Sequence, residues 1–467
     1  MTLTTDGLTM LHLGLGSFHR AHQAVYLQNL IDSGETHWSL AGGNLRPDMV
    51  ETIAALQQQG GQYTLETVTP AGARRYQRIR SICPVIAYEP SLAGLIALGA
   101  AANTRIISFT VTEAGYYVDA KNRLDLNFAD LTSDLERARR AEPGQTIYGA
   151  LVAILRARRA ADAGKVTLLN CDNLRHNGER FRSGLLQFIE LVGDQPLLAW
   201  VQSNTTSPNA MVDRITPRPA PEVRERVKAA TGVDDCAALM AESFIQWVIE
   251  ENFCNGRPAW EKVGVQMVES VAPFEEAKIR ILNASHSCIA WAGTLVGYQF
   301  IHEGTHDDVI RQFAYDYVSD DAIPCLTPSP IDLAEYRDVV LQRFGNPAIR
   351  DTNQRVAMDA FSKIPGFIAQ TIRERLAKNQ SIASVAMLPA LFLAFLQRWH
   401  VGEIPYTYQD QGMDEVVAHR ICAAFDPVAA FCSDPVLWGP QAGDPRLIAA
   451  LRVAQARVTK FIEEHRK

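Results

Sequence analysis

A short polar set between residues 273 and 286 has the residue types needed to oxidise an alcohol without a metal. The segment reads as a helix that begins after a proline and carries acids in its first turn, where the helix dipole favours them. At about 100° per residue, four side chains fall within an arc of roughly 140° on this helix. They are Glu275, Lys278, Asn283 and His286.

Oxidation of a secondary alcohol needs a base that takes the hydroxyl proton while a hydride leaves the carbon. Lys278 can act as this base if burial or a nearby cation lowers its pKa from about 10.4. The amide of Asn283 can donate to the alkoxide, and His286 can hold a neighbouring hydroxyl. Such residues also occur together on ordinary helices, so spacing alone leaves a structural role open.

The composition is that of an ordinary soluble globular protein. Its 467 residues are 47% apolar and 21% charged, enough for two or three domains. A net charge of −7 argues against nucleic acid, and no apolar run reaches transmembrane length. The N-terminus lacks the basic and apolar regions of a signal peptide, and the eight cysteines form no Cys-x-x-Cys pair. We therefore expect reduced thiols, a cytoplasmic location and no membrane partner. A monomer is a separate expectation.

The order of elements predicts an α/β fold with two domains. Residues 1–270 alternate strands and helices, which indicates a Rossmann-like domain with a mostly parallel sheet. The predicted strands include residues 37–45, a hairpin at 63–68 and 75–79, and 105–111, 165–169, 199–202 and 244–249. Residues 271–467 read as a mainly helical domain, whose helices begin near Glu275, Asp307, Asp332, Asp351, Ala369, Ser384, Asp414 and Asp444.

A glycine turn follows the first apolar run. Gly14 and Gly16 match the first two glycines of a dinucleotide-binding turn, but His19 stands where a third glycine is usual. Backbone N–H groups at the following helix would hold pyrophosphate, and Arg20 could add charge. The alternative is an ordinary tight turn.

Polar residues also follow the later strands. Asp48 comes after the second strand, where an acid accepts from the adenosine ribose, whereas the adjacent Arg46 could meet a 2′-phosphate. Asn173 follows the strand at 165–169 and could donate to the alkoxide. Asn177 is better explained as a cap of the next helix.

The segment from His302 to His306 has the zincin pattern of two histidines around a glutamate. We discount it, because Gly304 should weaken the required helix and no third ligand follows in the usual spacing. A zinc protease and a nucleotide sensor without turnover are the two alternatives from other classes.

Six ordered segments together resemble the polyol-specific long-chain dehydrogenases, the mannitol dehydrogenase family. They are residues 14–23, 110–116, 171–173, 209–217, 255–258 and the set of Lys278, Asn283 and His286. In this family a Phe-x-Arg-x-His run, here starting at Phe18, replaces the third glycine. The resemblance implies NAD-dependent, metal-free oxidation of a linear polyol to a ketose. Mannitol oxidation and hexuronate reduction are the alternatives within the family.

The resemblance also assigns roles to individual residues. It implies that Lys278 is the base and that Asn173 and Asn283 bind the reacting oxygen. The residues that it places at the substrate or near the base are His286, Asp213, Glu275, Arg355 and Lys363. The residues that it places at the cofactor are Gly14, Gly16, Phe18, Arg20, Asp48 and Glu113, the last beside the proton path.

Overall fold

The computed structural model describes residues 7–111, 113–119 and 122–465, with only the backbone of Glu113 and Ala114. The chain forms two compact units, which divide between Ala272 and Pro273 except that residues 70–72 group with the second unit. No helix among the described residues is long and apolar enough to cross a membrane.

The first unit contains the strands of the structure. In chain order they are β1 Leu8–Leu13, β2 Trp38–Gly43, β3 Tyr63–Val68, β4 Arg74–Ile79, β5 Ile82–Ile86, β6 Thr104–Phe109, β7 Val166–Asn170, β8 Thr205–Thr206, β9 Ala210–Asp213, β10 Leu239–Glu242, β11 Gln246–Glu250 and β12 Gln266–Val268. Its α-helices are α1 Ser17–Ala21, α2 Gln23–Asp32, α3 Val50–Gln58, α4 Ala93–Gly99, α5 Ala129–Arg139, α6 Ile147–Ala160, α7 Asn177–Val192, α8 Gln195–Asn204 and α9 Pro221–Thr231.

Six of these strands form one parallel sheet in the order β5-β2-β1-β6-β7-β8. Counted within the sheet, this is the 3-2-1-4-5-6 order of a dinucleotide-binding fold. Side chains of β1 alternate between the two faces, with Met10 in one apolar cluster and Leu11 and Leu13 in the other. Both faces are thus buried, which is typical of parallel sheets. The Rossmann-like prediction is confirmed.

Two three-stranded sheets complete this unit. The predicted hairpin is present as antiparallel β3 and β4, and β10 pairs with β3. The strand expected at 199–202 is wrong, because these residues lie within α8. Asp194 caps that helix by accepting a hydrogen bond from the Leu197 amide, and Pro196 stands in its first turn, so a helix start overrides the apolar run.

The second unit is helical, as predicted. Its α-helices are α10 Ala272–Ala277, α11 Ala284–Val296, α12 Ile301–His306, α13 Asp308–Asp316, α14 Ile323–Leu326, α15 Leu333–Phe344, α16 Asn353–Ala357, α17 Ala360–Lys363, α18 Ala369–Ala377, α19 Met387–His400, α20 Glu415–Ala423, α21 Pro427–Cys432, α22 Pro435–Trp438 and α23 Pro445–His465. Among the described residues, three π-helical segments join neighbouring helices: Lys278–Asn283, Tyr317–Ala322 and Ile364–Ile368. The buried apolar helices α11 and α19 pack together within its single core cluster.

Candidate active site

The glycine turn lies at the carboxyl end of β1. Gly14 has a φ of 112°, a conformation that glycine adopts without strain. A Cβ atom built on Gly14 or Gly16 would meet no protein atom within 4 Å. Gly16 precedes the first helical residue, and the Leu15 amide is fixed by the side chain of Asn44 at 2.8 Å. The turn therefore exposes backbone N–H groups without side chains at the start of a helix, which is the arrangement that binds a pyrophosphate.

A stacked imidazole pair explains why His19 replaces the usual third glycine. The ring of His19 lies flat on that of His12 in β1, with centroids 3.5 Å apart. Nδ1 of His12 lies 2.8 Å from the hydroxyl of Ser108. Burial lowers the pKa of His12 to about 3 and, helped by His12, holds the pKa of His19 well below its usual value. Two stacked rings thus fill the space between the helix and β1 at the position where the usual turn has a glycine.

The Phe-x-Arg-x-His run anchors the turn within its own unit. Arg20 is buried and donates to the carbonyl of Ala237 at 2.7 Å. Nε2 of His22 lies 2.8 Å from the carbonyl oxygen of Gln246, and the ring of Phe18 stacks on His22. One nitrogen of the Arg20 guanidinium is therefore used inside the unit, and the contact of Arg20 with pyrophosphate stays a prediction.

The acid after the second strand is exposed. Asp48 lies in the loop between β2 and α3. The guanidinium of Arg46 donates to the carboxylate of Asp130 at 3.1 Å and to the hydroxyl of Tyr117 at 2.9 Å. Part of the Arg46 charge is thus compensated, which weakens the case for a 2′-phosphate partner.

A buried network fixes the carboxyl ends of β6 and β7. The carboxylate of Asp172 accepts from the Val111 amide at 2.8 Å and from the hydroxyl of Tyr116 at 2.9 Å. Burial and this carboxylate raise the pKa of Tyr116. Asn173, the next residue, is exposed at the same edge. The side chain of Glu113 lies outside the described part of the structure.

Asn177 is not the cap of α7. It is the first helical residue, and its side-chain amide is buried. Nδ2 of this amide donates to the carbonyl of Ala210 at 2.7 Å, and Oδ1 accepts from the backbone N–H of Ala210 at 3.0 Å. This pairing ties α7 to β9. The predicted substrate residue Asp213 ends β9 and is buried.

In the second unit, the predicted base and oxygen-binding amide mark the two ends of one π-helical turn. Lys278 begins the segment and is only 6% exposed, and Asn283 ends it. Glu275 is buried in α10, one turn before the lysine. The π-helical pairing widens the helix, so the 100° spacing assumed from sequence does not hold here. Single π turns of this kind are frequent at functional sites.

A carboxylate that the sequence did not single out joins two predicted substrate residues. Asp351 forms a bidentate ion pair with Arg355, and its Oδ2 lies 3.3 Å from Nε2 of His286. Burial would raise the pKa of Asp351, but His286 and Arg355 hold it well below the usual range. The ring of His286 stacks on Phe344 with centroids 4.3 Å apart.

The burial of His286 favours its neutral form. Burial lowers its pKa, and the charges of Arg355 and Lys363 lower it further, although Asp351 opposes them. A neutral imidazole can both donate to and accept from a hydroxyl group. Lys363, at the end of α17, donates to the carbonyl of Val356. The structure therefore brings His286 and Arg355 together through Asp351, and Lys363 bonds the residue that follows Arg355 in the chain.

The zincin-like segment is helical, contrary to the expectation from Gly304. A Cβ at Gly304 would lie 3.0 Å from the side chain of Ile289, so the glycine permits close packing of α12 on α11. The carboxylate of Glu303 accepts from the amides of Gln299 and Phe300, which makes it a helix cap. Within the described ranges, no three His, Cys, Asp or Glu residues are grouped to hold a metal.

A Rossmann unit with a bare glycine turn, followed by a helical unit with a buried lysine, defines a two-domain dehydrogenase. Residues 8–262 match the mannitol dehydrogenase Rossmann domain, and residues 270–458 match the mannitol dehydrogenase C-terminal domain. The chain belongs to the mannitol dehydrogenase family, and it is an oxidoreductase. The family predicted from the sequence is confirmed.

Known relatives are similar over nearly the full length. The chain is 59% identical over 452 residues to D-arabinitol 4-dehydrogenase of Ralstonia nicotianae, covering 96% of both chains. It is 53% identical to D-arabinitol 4-dehydrogenase of Klebsiella pneumoniae, covering 97% of this chain and 99% of the relative. The Pseudomonas fluorescens mannitol 2-dehydrogenase structure, a ternary complex with NAD and D-mannitol, superposes with a TM-score of 0.83 at 33% identity and covers 99% and 95% of the two chains.

Proposed function

We propose that this enzyme oxidises D-arabinitol to D-xylulose with NAD, using Lys278 as the general base and no metal. The observation that carries the proposal is a buried lysine at the start of a π turn that ends in Asn283. The two D-arabinitol 4-dehydrogenases that resemble this chain over almost its whole length support the choice of substrate.

The first unit fits a dinucleotide. Gly14 and Gly16 leave space where a Cβ would stand, the N-terminus of α1 follows, and Asp48 is exposed after β2 to meet ribose hydroxyls. Bound NAD would supply the hydride acceptor. The mannitol 2-dehydrogenase structure similar to this chain was determined with NAD, which supports the same cofactor here.

Residues of the second unit would accept the hydroxyl proton of the substrate and stabilise the charge on its reacting oxygen. As the C–H bond breaks and hydride leaves with its electron pair, the hydroxyl proton passes to Nζ of Lys278 and the C=O bond forms. Burial favours the neutral amine that this step requires. The amide of Asn283 would donate a hydrogen bond to the oxygen as the oxygen gains charge. The family resemblance assigns the same donor role to Asn173.

The ion pair of Asp351 favours a neutral polyol over a hexuronate. A substrate carboxylate would be drawn to an uncompensated arginine. Here Nε and one Nη of Arg355 are already bound by Asp351. Neutral His286, next to this pair, suits a hydroxyl group.

The substrate is tested by comparing kcat/KM across a panel. In oxidation with NAD, we expect D-arabinitol to exceed D-mannitol, and both to exceed D-sorbitol and xylitol. A site built to bond hydroxyls rejects analogues that leave its buried polar groups unpaired, by factors that reach about 10⁴. In reduction, D-xylulose should exceed D-fructose and D-fructuronate.

A preference for D-mannitol would instead make the enzyme a mannitol 2-dehydrogenase. A preference for D-fructuronate would place it among the hexuronate reductases and contradict the argument from Asp351. Turnover that is lost on chelation and restored by zinc would overturn the metal-free chemistry.

The cofactor choice is tested by replacing Asp48. We expect the wild type to prefer NAD over NADP. Asp48→Ala should reduce this preference roughly 10-fold, because the substitution removes about 1–2 kcal/mol of repulsion between the carboxylate and a 2′-phosphate. Glu51→Ala, which removes an exposed acid from the nearby α3, is the matched control. The ratio of kcat/KM for the two cofactors is the measurement, and a wild type that prefers NADP would contradict the role of Asp48.

A further inference from the structure

Tyr317 donates a buried hydrogen bond into the middle of the catalytic π turn. Its hydroxyl lies 2.6 Å from the carbonyl oxygen of Arg280, and the residue is fully buried. Arg280 stands two residues after Lys278 and three before Asn283. The contact therefore reaches the backbone between the base and the oxygen-binding amide.

The side chain of Arg280 is held by a different element. Its Nε donates to the hydroxyl of Thr371 at 3.0 Å, and two nitrogens of its guanidinium bind the carboxylate of Glu374 at 3.2 and 3.0 Å. Thr371 and Glu374 both belong to α18. Tyr317, the first residue of the π-helical segment Tyr317–Ala322, thus binds the backbone of Arg280, whereas residues of α18 bind its side chain.

This double attachment matters because a π turn departs from the regular helical geometry. The departure sets both the separation and the direction of the residues at its ends. A buried hydrogen bond to one of its carbonyls restricts the alternative of a regular α turn, in which the spacing from Lys278 to Asn283 would differ.

We infer that Tyr317, acting through Arg280, is a positioning residue that holds Lys278 and Asn283 in register for proton transfer. The inference rests on the proposed function, in which these two residues act on the reacting hydroxyl. It adds a residue that contacts neither substrate nor cofactor, and that lies 39 positions beyond the base in the chain.

Tyr317→Phe removes the hydroxyl and keeps the ring. We expect kcat for polyol oxidation to fall roughly 10-fold, because small misplacements of reacting groups cost up to about 10²-fold. KM for NAD should stay within about two-fold, and the pH at which kcat reaches half its plateau should move, since the surroundings of the Lys278 amine change. A loss of packing alone would not move the pH profile of the folded enzyme.

Tyr406→Phe is the matched control. The hydroxyl of Tyr406 lies 2.8 Å from that of Thr294, which belongs to α11 in the same helical run. This variant loses a tyrosine hydrogen bond to a residue 11 positions beyond the end of the π turn, and its kcat and pH profile should match the wild type. Thr371→Val, which removes the acceptor of Arg280 Nε, is the second variant, and it should shift kcat and the pH profile in the same direction.

The inference is overturned if Tyr317→Phe keeps the wild-type kcat and pH profile, or if Tyr406→Phe loses as much. If Tyr317→Phe does not fold, an unchanged kcat and profile in Thr371→Val has the same force. These outcomes are separable from failure of the proposed function, in which Lys278→Ala itself would retain turnover.

Discussion

Lys278→Ala should lower kcat for polyol oxidation by a factor on the order of 10²–10⁴, the usual contribution of general acid–base catalysis. Lys278 is buried at the start of the π turn. Binding of NAD should be retained, because the glycine turn belongs to the other unit. Stopped-flow turnover and a cofactor titration measure the two effects.

The pH dependence gives a second measure of the same residue. Lys278 must be neutral to accept the proton, so the oxidation rate of the wild type should rise with pH through the pKa of this amine, and the reduction rate should fall. Lys262→Ala removes an exposed lysine from the first unit and should leave both profiles unchanged. Near-wild-type turnover in Lys278→Ala, or an oxidation rate that does not rise with pH, would remove Lys278 as the base.

Local signals in the sequence account for much of the helical unit. Helices were predicted to begin near Asp307, Asp332 and Asp414, and in the structure each of these aspartates is an N-cap whose side chain accepts from two backbone amides. Capping depends on residues within one turn, so it can be predicted without knowing the fold. The alternation of strands and helices in the first unit is also predictable, because strands and helices differ in the local spacing of their apolar residues.

The π turn and the Asp351 pair could not be predicted, because both depend on contacts between distant residues. Lys278–Asn283 has an ordinary helical sequence, and its π form is accompanied by a hydrogen bond from Tyr317. Asp351 lies 65 positions from His286, and its sequence context indicates only a helix start. The hydrogen bond from Arg20 to the carbonyl of Ala237 could not be predicted for the same reason, because the two residues are far apart in the chain.

Asn283→Ala should lower kcat by about 10²–10³, the effect of removing one donor to a developing oxyanion. The loss in kcat/KM should be equal in oxidation and reduction, because both directions pass through the same transition state and the overall equilibrium, which the variant cannot change, fixes the ratio of the two kcat/KM values. KM for the polyol should change little, since the hydrogen bond strengthens only as the oxygen gains charge.

Two comparisons make the Asn283 result specific. Asn204→Ala removes an amide that bonds its own helix at the carbonyl of Trp200, and it should leave kcat unchanged. The fold loss of kcat in the double variant of Lys278 and Asn283 should be smaller than the product of the two single fold losses. The reason is that Asn283 stabilises the negative charge on the reacting oxygen, and that charge develops as Lys278 removes the proton. Strict multiplication of the two losses would show that the residues act independently, and a kcat for Asn283→Ala near that of the wild type would remove the amide from the reaction.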